Sequence, residues 1–380
     1  MTEAIRPFTL NIPQADLDDL QRRLAATRWP EPETVGDWRQ GSPLAAVQAL
    51  AAHWQTRYDW RACEARLNAL GQFKTMIDGL DIHFLHVRSP HPDAMPLIIT
   101  HGWPGSVMEF MKIIGPLTDP VAHGGKAEDA FHLVMPSLPG FGFSQKPADA
   151  GWGVPRIAMA WITLMQRLGY ERWAAQGGDW GSAVTTTIGV INPPGCAAIH
   201  INMPLIYPGQ DDLADLTDME KGAIASLQYY QEWDSGYSKQ QQTRPQTLGY
   251  GLVDSPAGQA AWIYEKMWAW TDNKGAPEDV LSMDEMLDNI MLYWLPGTGA
   301  SSARLYWESF GAFGGSVPLS LPVGVSIYPK EIFRASRRWA EKHMTNIIHW
   351  NELEQGGHFA AWEQPALYVN EIRTCFAKIR

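Results

Sequence analysis

The 380 residues are enough for one large domain carrying insertions, and 41 acidic against 30 basic side chains leave a formal net charge of −11 with no block of lysine and arginine, which excludes a polyanion-binding surface. Cys63, Cys196 and Cys375 are scattered without CxxC spacing, a pattern that argues against a disulfide framework or a zinc site and for a reducing cytoplasm. The opening MTEAIRPFTLNIPQ has no apolar core and no later run approaches the ~20 apolar residues of a spanning helix, so neither a signal peptide nor a membrane anchor is expected.

In chain order, PQADLDDLQRRLAATRWP places Leu17, Leu20 and Leu24 on one helical face, with acidic residues early, arginines late and Pro30 just beyond. From Pro30 to about Leu70 the chain is rich in Trp, Pro and short helical pieces such as PLAAVQALAAHWQTRYDW, an arm expected to pack on something else. From Phe73 the pattern changes. FKTMI, DIHFLHV, PLIIT and FHLVMP are short apolar or alternating runs bounded by Gly, Pro and Asp, and continuous apolar strands alternating with helices predict a parallel sheet covered on both faces. RWAAQGG, a helix and the strand AAIHINMP follow. From about Leu205 to Phe313 the sequence reads as helices and loops rich in Trp and Tyr, and strands return only at VGVSIYP and NIIHWNE. The expected fold is therefore α/β, with a mostly parallel central sheet, helices on both faces and an inserted helical lid of the kind that sits over a site. The expected division is an N-terminal arm over residues 1–70, a first part of the core over 71–204, the lid over 205–313 and a second part of the core over 314–380. Eighteen tryptophans and fifteen methionines fit adaptable apolar surface around a pocket as well as plain core packing.

Four local signals then line up. PLIITHGWPGS ends a strand at Thr100 and gives a loop of His101, Gly102, Trp103 and Pro104 whose amides can face an oxyanion. WAAQGGDWGSAV is a strand, a sharp turn and a helix opening, the layout that presents a nucleophile, here Asp179, with the Trp180 amide as second oxyanion donor. VSIYPKEIF puts Glu331 after a late strand, and ELEQGGHFAAWEQP puts His358 on a glycine loop before a C-terminal helix. Taken singly, Asp179 could be a helix cap, Glu331 likewise and His358 a solvated loop residue; together, the order nucleophile, acid, histidine is that of α/β-hydrolases.

The chain resembles the microsomal and juvenile-hormone type of epoxide hydrolase, within the α/β-hydrolase superfamily, over nearly its whole length. RPFTLNIP and RLAATRWP are similar to that family's N-terminal arm, HGWPGS to its oxyanion loop, MPSLPGFGFS to the following strand and turn, and GGDWGS and GGHFAAWEQP to its nucleophile and base motifs. The resemblance implies Asp179 as nucleophile, His358 as base and Glu331 as the acid that orients it. It also implies two lid tyrosines as proton donors, Tyr237 in DSGYSK and Tyr306 in ARLYWESF. Tyr229, Tyr230, Tyr250, Tyr264 and Tyr293 lie in the same stretch, and spacing alone does not separate them from the chosen pair. Trp103 and Trp180 supply the oxyanion amides in this reading, and His101, Gly102, Pro104 and Phe359 line the substrate pocket.

The chemistry is consistent with the residue types. An epoxide carbon is saturated and must be attacked in line, which a carboxylate of reference pKa ~3.9 does without activation. The resulting ester has a carbonyl that water activated by histidine can attack, and the departing alkoxide needs a proton donor, for which a tyrosine of pKa ~10 is suited. The expected activity is hydrolysis of an epoxide to a vicinal diol. The competing readings are a haloalkane dehalogenase using the same ester, a non-catalytic ligand-binding relative, and a carboxylesterase, for which Ser182 falls after the apex of the turn. No metal or organic cofactor is implied; the expected partners are a small apolar epoxide and water, with no nucleic acid, no membrane anchor and, as an option, a second copy in a homodimer.

Overall fold

The computed structural model describes residues 3–309, 311 and 318–380. The first two residues of the expected arm and the expected boundary between lid and core at 313/314 lie outside the described residues. Strands β1 (Arg6–Pro7), β2 (Gln72–Ile77), β3 (Leu80–Val87), β4 (Met95–Thr100), β5 (Phe131–Pro136), β6 (Trp173–Gly177), β7 (Cys196–Ile201), β8 (Val323–Ile327) and β9 (Ile347–Glu352) form a sheet in the order β1-β2-β3-β5-β4-β6-β7-β8-β9. Pairing is antiparallel from β1 to β5 and parallel from there to β9. The apolar runs in the sequence are the central strands: Leu97, Ile98 and Ile99 of β4 and Leu133, Val134 and Met135 of β5 are fully buried, as parallel strands covered on both faces must be. The two-residue β1 is too short to show a period, and no sequence signal marks it.

The helices Val154–Arg167 and Trp180–Ile191 pack on each other and on the sheet, and buried Trp161 donates its indole N–H to Thr100 Oγ1 at 3.1 Å, fixing the C-terminal end of β4. Between β7 and β8 lie the helices of the lid, among them Asp218–Tyr229, Gly236–Thr243, Pro245–Asp254, Pro256–Trp270, Met283–Trp294 and Gly299–Glu308. The first of these opens on a capping box, Thr217 with Glu220, and the helix from Met283 on another, Ser282 with Glu285.

The arm packs on the lid. Its helices Gln14–Ala25, Leu44–Thr56 and Trp60–Ala69 meet the lid helices Pro256–Trp270 and Met283–Trp294. Trp38 stacks on Trp268 with ring centroids 4.9 Å apart and planes 6° apart. Tyr58 Oη donates to Asp288 Oδ1 at 2.8 Å, and Arg66 pairs with the same carboxylate, which is nearly buried. A buried carboxylate with two donors is costly to strip of either one. The apolar faces of the arm, whose partner is not legible in the sequence, are thus covered by these inserted helices.

Candidate active site

The strand β6 runs into the helix Trp180–Ile191 through Asp179, whose backbone has φ 51 and ψ −128. That conformation strains a residue with a Cβ by ~1–3 kcal/mol and persists only where the surroundings enforce it. Glycines make the turn fit. A Cβ on Gly177 would stand 2.1 Å from the Gly181 carbonyl oxygen, one on Gly181 1.9 Å from the Thr100 carbonyl oxygen, and one on Gly102 2.0 Å from Asp179 Oδ1. The spacing GGDWG is therefore a packing requirement for holding the carboxylate against the end of β4.

Asp179 Oδ1 accepts the backbone N–H of Trp103 at 2.8 Å, and the Trp180 amide also donates to this carboxylate. Burial raises the Asp179 pKa, while His358 and these two amides pull it back. The loop bearing Trp103 is itself held by the lid: Asn289 Nδ2 donates to the Pro104 carbonyl at 2.8 Å and Tyr293 Oη to the Gly105 carbonyl at 2.7 Å.

His358 Nε2 lies 3.5 Å from Asp179 Oδ2, and its Nδ1 lies 2.7 Å from Glu331 Oε1. Glu331 is almost completely buried, and the same oxygen accepts the Ile332 amide at 2.8 Å. Burial alone would lower the imidazole pKa, but the charge and hydrogen bond of Glu331, with the charges of Asp179 and Glu109, raise it to about 9. The two glycines before His358 are also required: Gly356 has φ +101, and a Cβ on Gly357 would stand 2.4 Å from the Trp270 carbonyl oxygen. That carbonyl accepts the His358 amide at 2.9 Å.

Over the carboxylate lies a cavity of about 230 Å³ whose walls include Asp179, Trp180, Tyr237, Tyr306, Leu227 and Phe333. Tyr237 stacks on Trp103 with centroids 4.8 Å apart and planes 10° apart, and Tyr306 meets Trp180 edge-on at 4.8 Å. Tyr237 Oη lies 3.1 Å from Tyr230 Oη. Tyr306 Oη is buried and makes no hydrogen bond of ordinary geometry among the described residues. Burial, then neighbouring negative charge and hydroxyls, hold both phenols well above their usual pKa, so both are neutral. A buried carboxylate, a histidine paired to a second carboxylate and two neutral phenols thus converge between the inserted helices and the sheet.

Comparison with known proteins identifies the family. Residues 5–110 match the family described as epoxide hydrolase N terminus, and residues 95–248 match the alpha/beta hydrolase fold. A Stigmatella aurantiaca protein, itself provisionally named an epoxide hydrolase, is 59% identical over 376 residues, covering 99% of this chain and 86% of that protein. Epoxide hydrolase 1 of Sus scrofa is 34% identical, covering 98% of this chain and 88% of that one. The chain belongs to the epoxide hydrolase family. Among solved epoxide hydrolases, the Aspergillus niger structure superposes with a TM-score of 0.89 at 32% identity, covering 99% of this chain and 97% of that one. The Bombyx mori juvenile hormone epoxide hydrolase gives 0.92 at 28% identity, covering 100% and 95%.

In this epoxide hydrolase, Asp179, His358 and Glu331 come together, and Trp103, Trp180, Tyr237 and Tyr306 surround them. The four residues expected to line the pocket do not line this cavity. His101 is buried and spent on its own surroundings, its Nδ1 lying 2.9 Å from the Gly102 carbonyl while its Nε2 accepts the Leu138 amide at 3.2 Å; burial lowers its pKa to about 4. Gly102 backs the Asp179 carboxylate, and Pro104 offers its carbonyl to Asn289. Phe359 packs edge-on to His358 at 5.1 Å, supporting the base from behind.

Several residues near the site carry no sequence signal. Tyr230 completes a tyrosine cluster with Tyr237, and Glu109 is raised by burial to about 8 despite the opposing pull of His358. Lys266 lies over the Tyr237 ring with Nζ 4.6 Å from its centroid. The stretch VMEF gives no reason to single out Glu109, and EKMWAW gives none to single out Lys266. Among the described residues no group of three or more His, Cys, Asp or Glu side chains is arranged to hold a metal ion, and no helix is long and apolar enough to cross a membrane.

Proposed function

We propose that this chain hydrolyses an epoxide to a vicinal diol through an ester on Asp179. The supporting observation is the split use of the Asp179 carboxylate: Oδ1 on the Trp103 amide, Oδ2 toward His358, both under a cavity walled by two neutral tyrosines. Oδ2 attacks a ring carbon in line, the carbon–oxygen bond breaks, and Tyr237 or Tyr306 gives its proton to the departing oxygen. His358 then takes a proton from water, whose oxygen attacks the ester carbon while the Trp103 and Trp180 amides hold the charge on Oδ1. Collapse of that intermediate releases the diol and restores the carboxylate, and the proton on His358 returns to the tyrosinate. Glu331 holds the imidazole with Nε2 facing the ester and stabilises its charged form.

Leu227, Met203, Ile332 and Phe333 make the walls away from the reacting groups apolar, which suits a small apolar epoxide. The three buried thiols, free in the structure, fit the reducing cytoplasm as the place of action. The test is a panel of styrene-type, terpene-type and long-chain epoxides scored by chiral analysis of the diols, with haloalkanes run in parallel. Diol from at least one epoxide class without halide release is the expected result; halide release without diol would replace this reading with a dehalogenase.

A further inference from the structure

We propose that Lys266, which lies outside the substrate cavity, sets the acidity and position of Tyr237 and so governs ring opening through it. This rests on the reading of Tyr237 as a proton donor. The helix Pro256–Trp270 carries Lys266 and Trp270 at i, i+4, on one face. The lid helix from Asp218 runs on through a short π-helical turn, Tyr230–Asp234, a geometry that places Asp234 against them. Lys266 Nζ donates to Asp234 Oδ1 at 2.5 Å and pairs with Glu265 Oε2 at 2.9 Å, with its side chain 4% exposed. Asp234 Oδ2 accepts the Trp270 indole N–H at 2.6 Å. The ammonium stands 4.6 Å from the Tyr237 ring centroid and 5.4 Å from that of Trp270.

Packing does not require this arrangement. An ammonium buried between helices is costly even when paired, and an apolar side chain of the same length would fill the space. The charge has a use in the reaction. As Tyr237 passes its proton to the leaving oxygen, negative charge develops over the phenol, and a fixed cation at the ring favours that state more than the neutral phenol. Asp234 divides its two oxygens between Lys266 and Trp270, and Glu265 also pairs with the ammonium, which itself stands at the Tyr237 ring. The same cluster reaches the base, since the Trp270 carbonyl holds the His358 amide. Lys266 is thus a positioning residue that touches no substrate and acts through Tyr237.

The test separates the two half-reactions by rapid-quench single turnover, reading ester formation and ester breakdown from the mass of the protein. Lys266→Met and Lys266→Gln, both checked for folding by circular dichroism, should slow ester formation on the order of tenfold and leave ester breakdown unchanged. Lys266→Arg, which keeps the cation, should recover most of the rate. In a Tyr237→Phe background neither substitution should have a further effect. Equal slowing with and without the Tyr237 hydroxyl, equal slowing of both half-reactions, or unchanged ester formation in both neutral variants would each overturn the inference. If instead Tyr237→Phe alone leaves ester formation unchanged, the donor role of Tyr237 is what fails, whatever the Lys266 variants do.

Discussion

The Trp103 amide donates to Asp179 Oδ1 at 2.8 Å, so one oxygen of the carboxylate already sits where an acyl oxyanion would form. In the proposed mechanism the other, Oδ2, is the one that attacks. In that division the oxygen added to the substrate is Oδ2, and water enters only when the ester breaks. A single turnover in heavy-oxygen water with enzyme in excess should give diol whose added oxygen is light, and the peptide containing Asp179 should carry the heavy atom. Heavy diol with an unlabelled peptide would establish direct attack by water and remove Asp179 as nucleophile.

In the proposed mechanism Glu331 and His358 serve the second half-reaction alone. His358→Ala should still open the ring, so the protein gains the mass of one substrate and stops. Glu331→Gln keeps the shape of the side chain but removes the charge beside Nδ1, and it should slow ester breakdown on the order of 100-fold to 10,000-fold while the ester still forms. An inactive His358→Ala protein without an adduct would move the histidine to the first step or to a structural role.

Much of this was legible in the sequence where one residue type carries both shape and chemistry. GGDWGS and GGH are readable because the glycines are forced by close approach and positive φ, and because the carboxylate and imidazole they present occur together in the order of the fold, though each alone has a plain structural use. Apolar strands β4 and β5 were equally plain, since burial on both faces leaves no room for alternation. What the sequence withheld depends on tertiary neighbours. Nothing in EKMWAW says that Lys266 turns inward over a tyrosine, and nothing in the arm says that Tyr58 and Arg66 find Asp288 more than two hundred residues on. For His101 and Phe359 the chain shows their place beside the motif residues but not their partners, which are the Gly102 carbonyl and Leu138 amide for the one and the His358 ring for the other.

Tyr237 and Tyr306 meet edge-on with centroids 5.8 Å apart, both walling the cavity above Asp179. In the proposed mechanism both are neutral donors to one leaving oxygen, and two such donors can partly replace each other. Tyr237→Phe and Tyr306→Phe should each slow ester formation modestly, and the double variant should slow it on the order of 100-fold to 10,000-fold, the usual worth of general acid help. Burst kinetics on the three variants provide the measurement. Full activity in the double variant would assign the proton to Tyr230, whose hydroxyl lies within reach of the same cluster.

The pH dependence of ester breakdown tests how charge on Asp179 controls His358. In the free enzyme burial opposes protonation, yet Glu331 foremost, then Asp179 and Glu109, hold the imidazole at about 9, so at neutral pH it is largely the cation. That form cannot accept a proton from water. In the proposed mechanism ring opening converts the Asp179 carboxylate into a neutral ester, which removes one of the charges that held the proton on, and leaves a tyrosinate able to take that proton, so the base becomes available when there is an ester to hydrolyse. The sign follows: the rate of breakdown rises with pH as the neutral imidazole gains, then levels off. Glu109, at about 8 in the free enzyme, loses its proton in the same window and adds negative charge near His358, which broadens the rise. Rapid-quench measurements from about pH 6 to about pH 10 should place the midpoint for ester breakdown below about 9, and Glu331→Gln should move it lower still. A midpoint at or above that value, or a rate that falls as pH rises, would show that the ester leaves the imidazole charged and that another group activates the water.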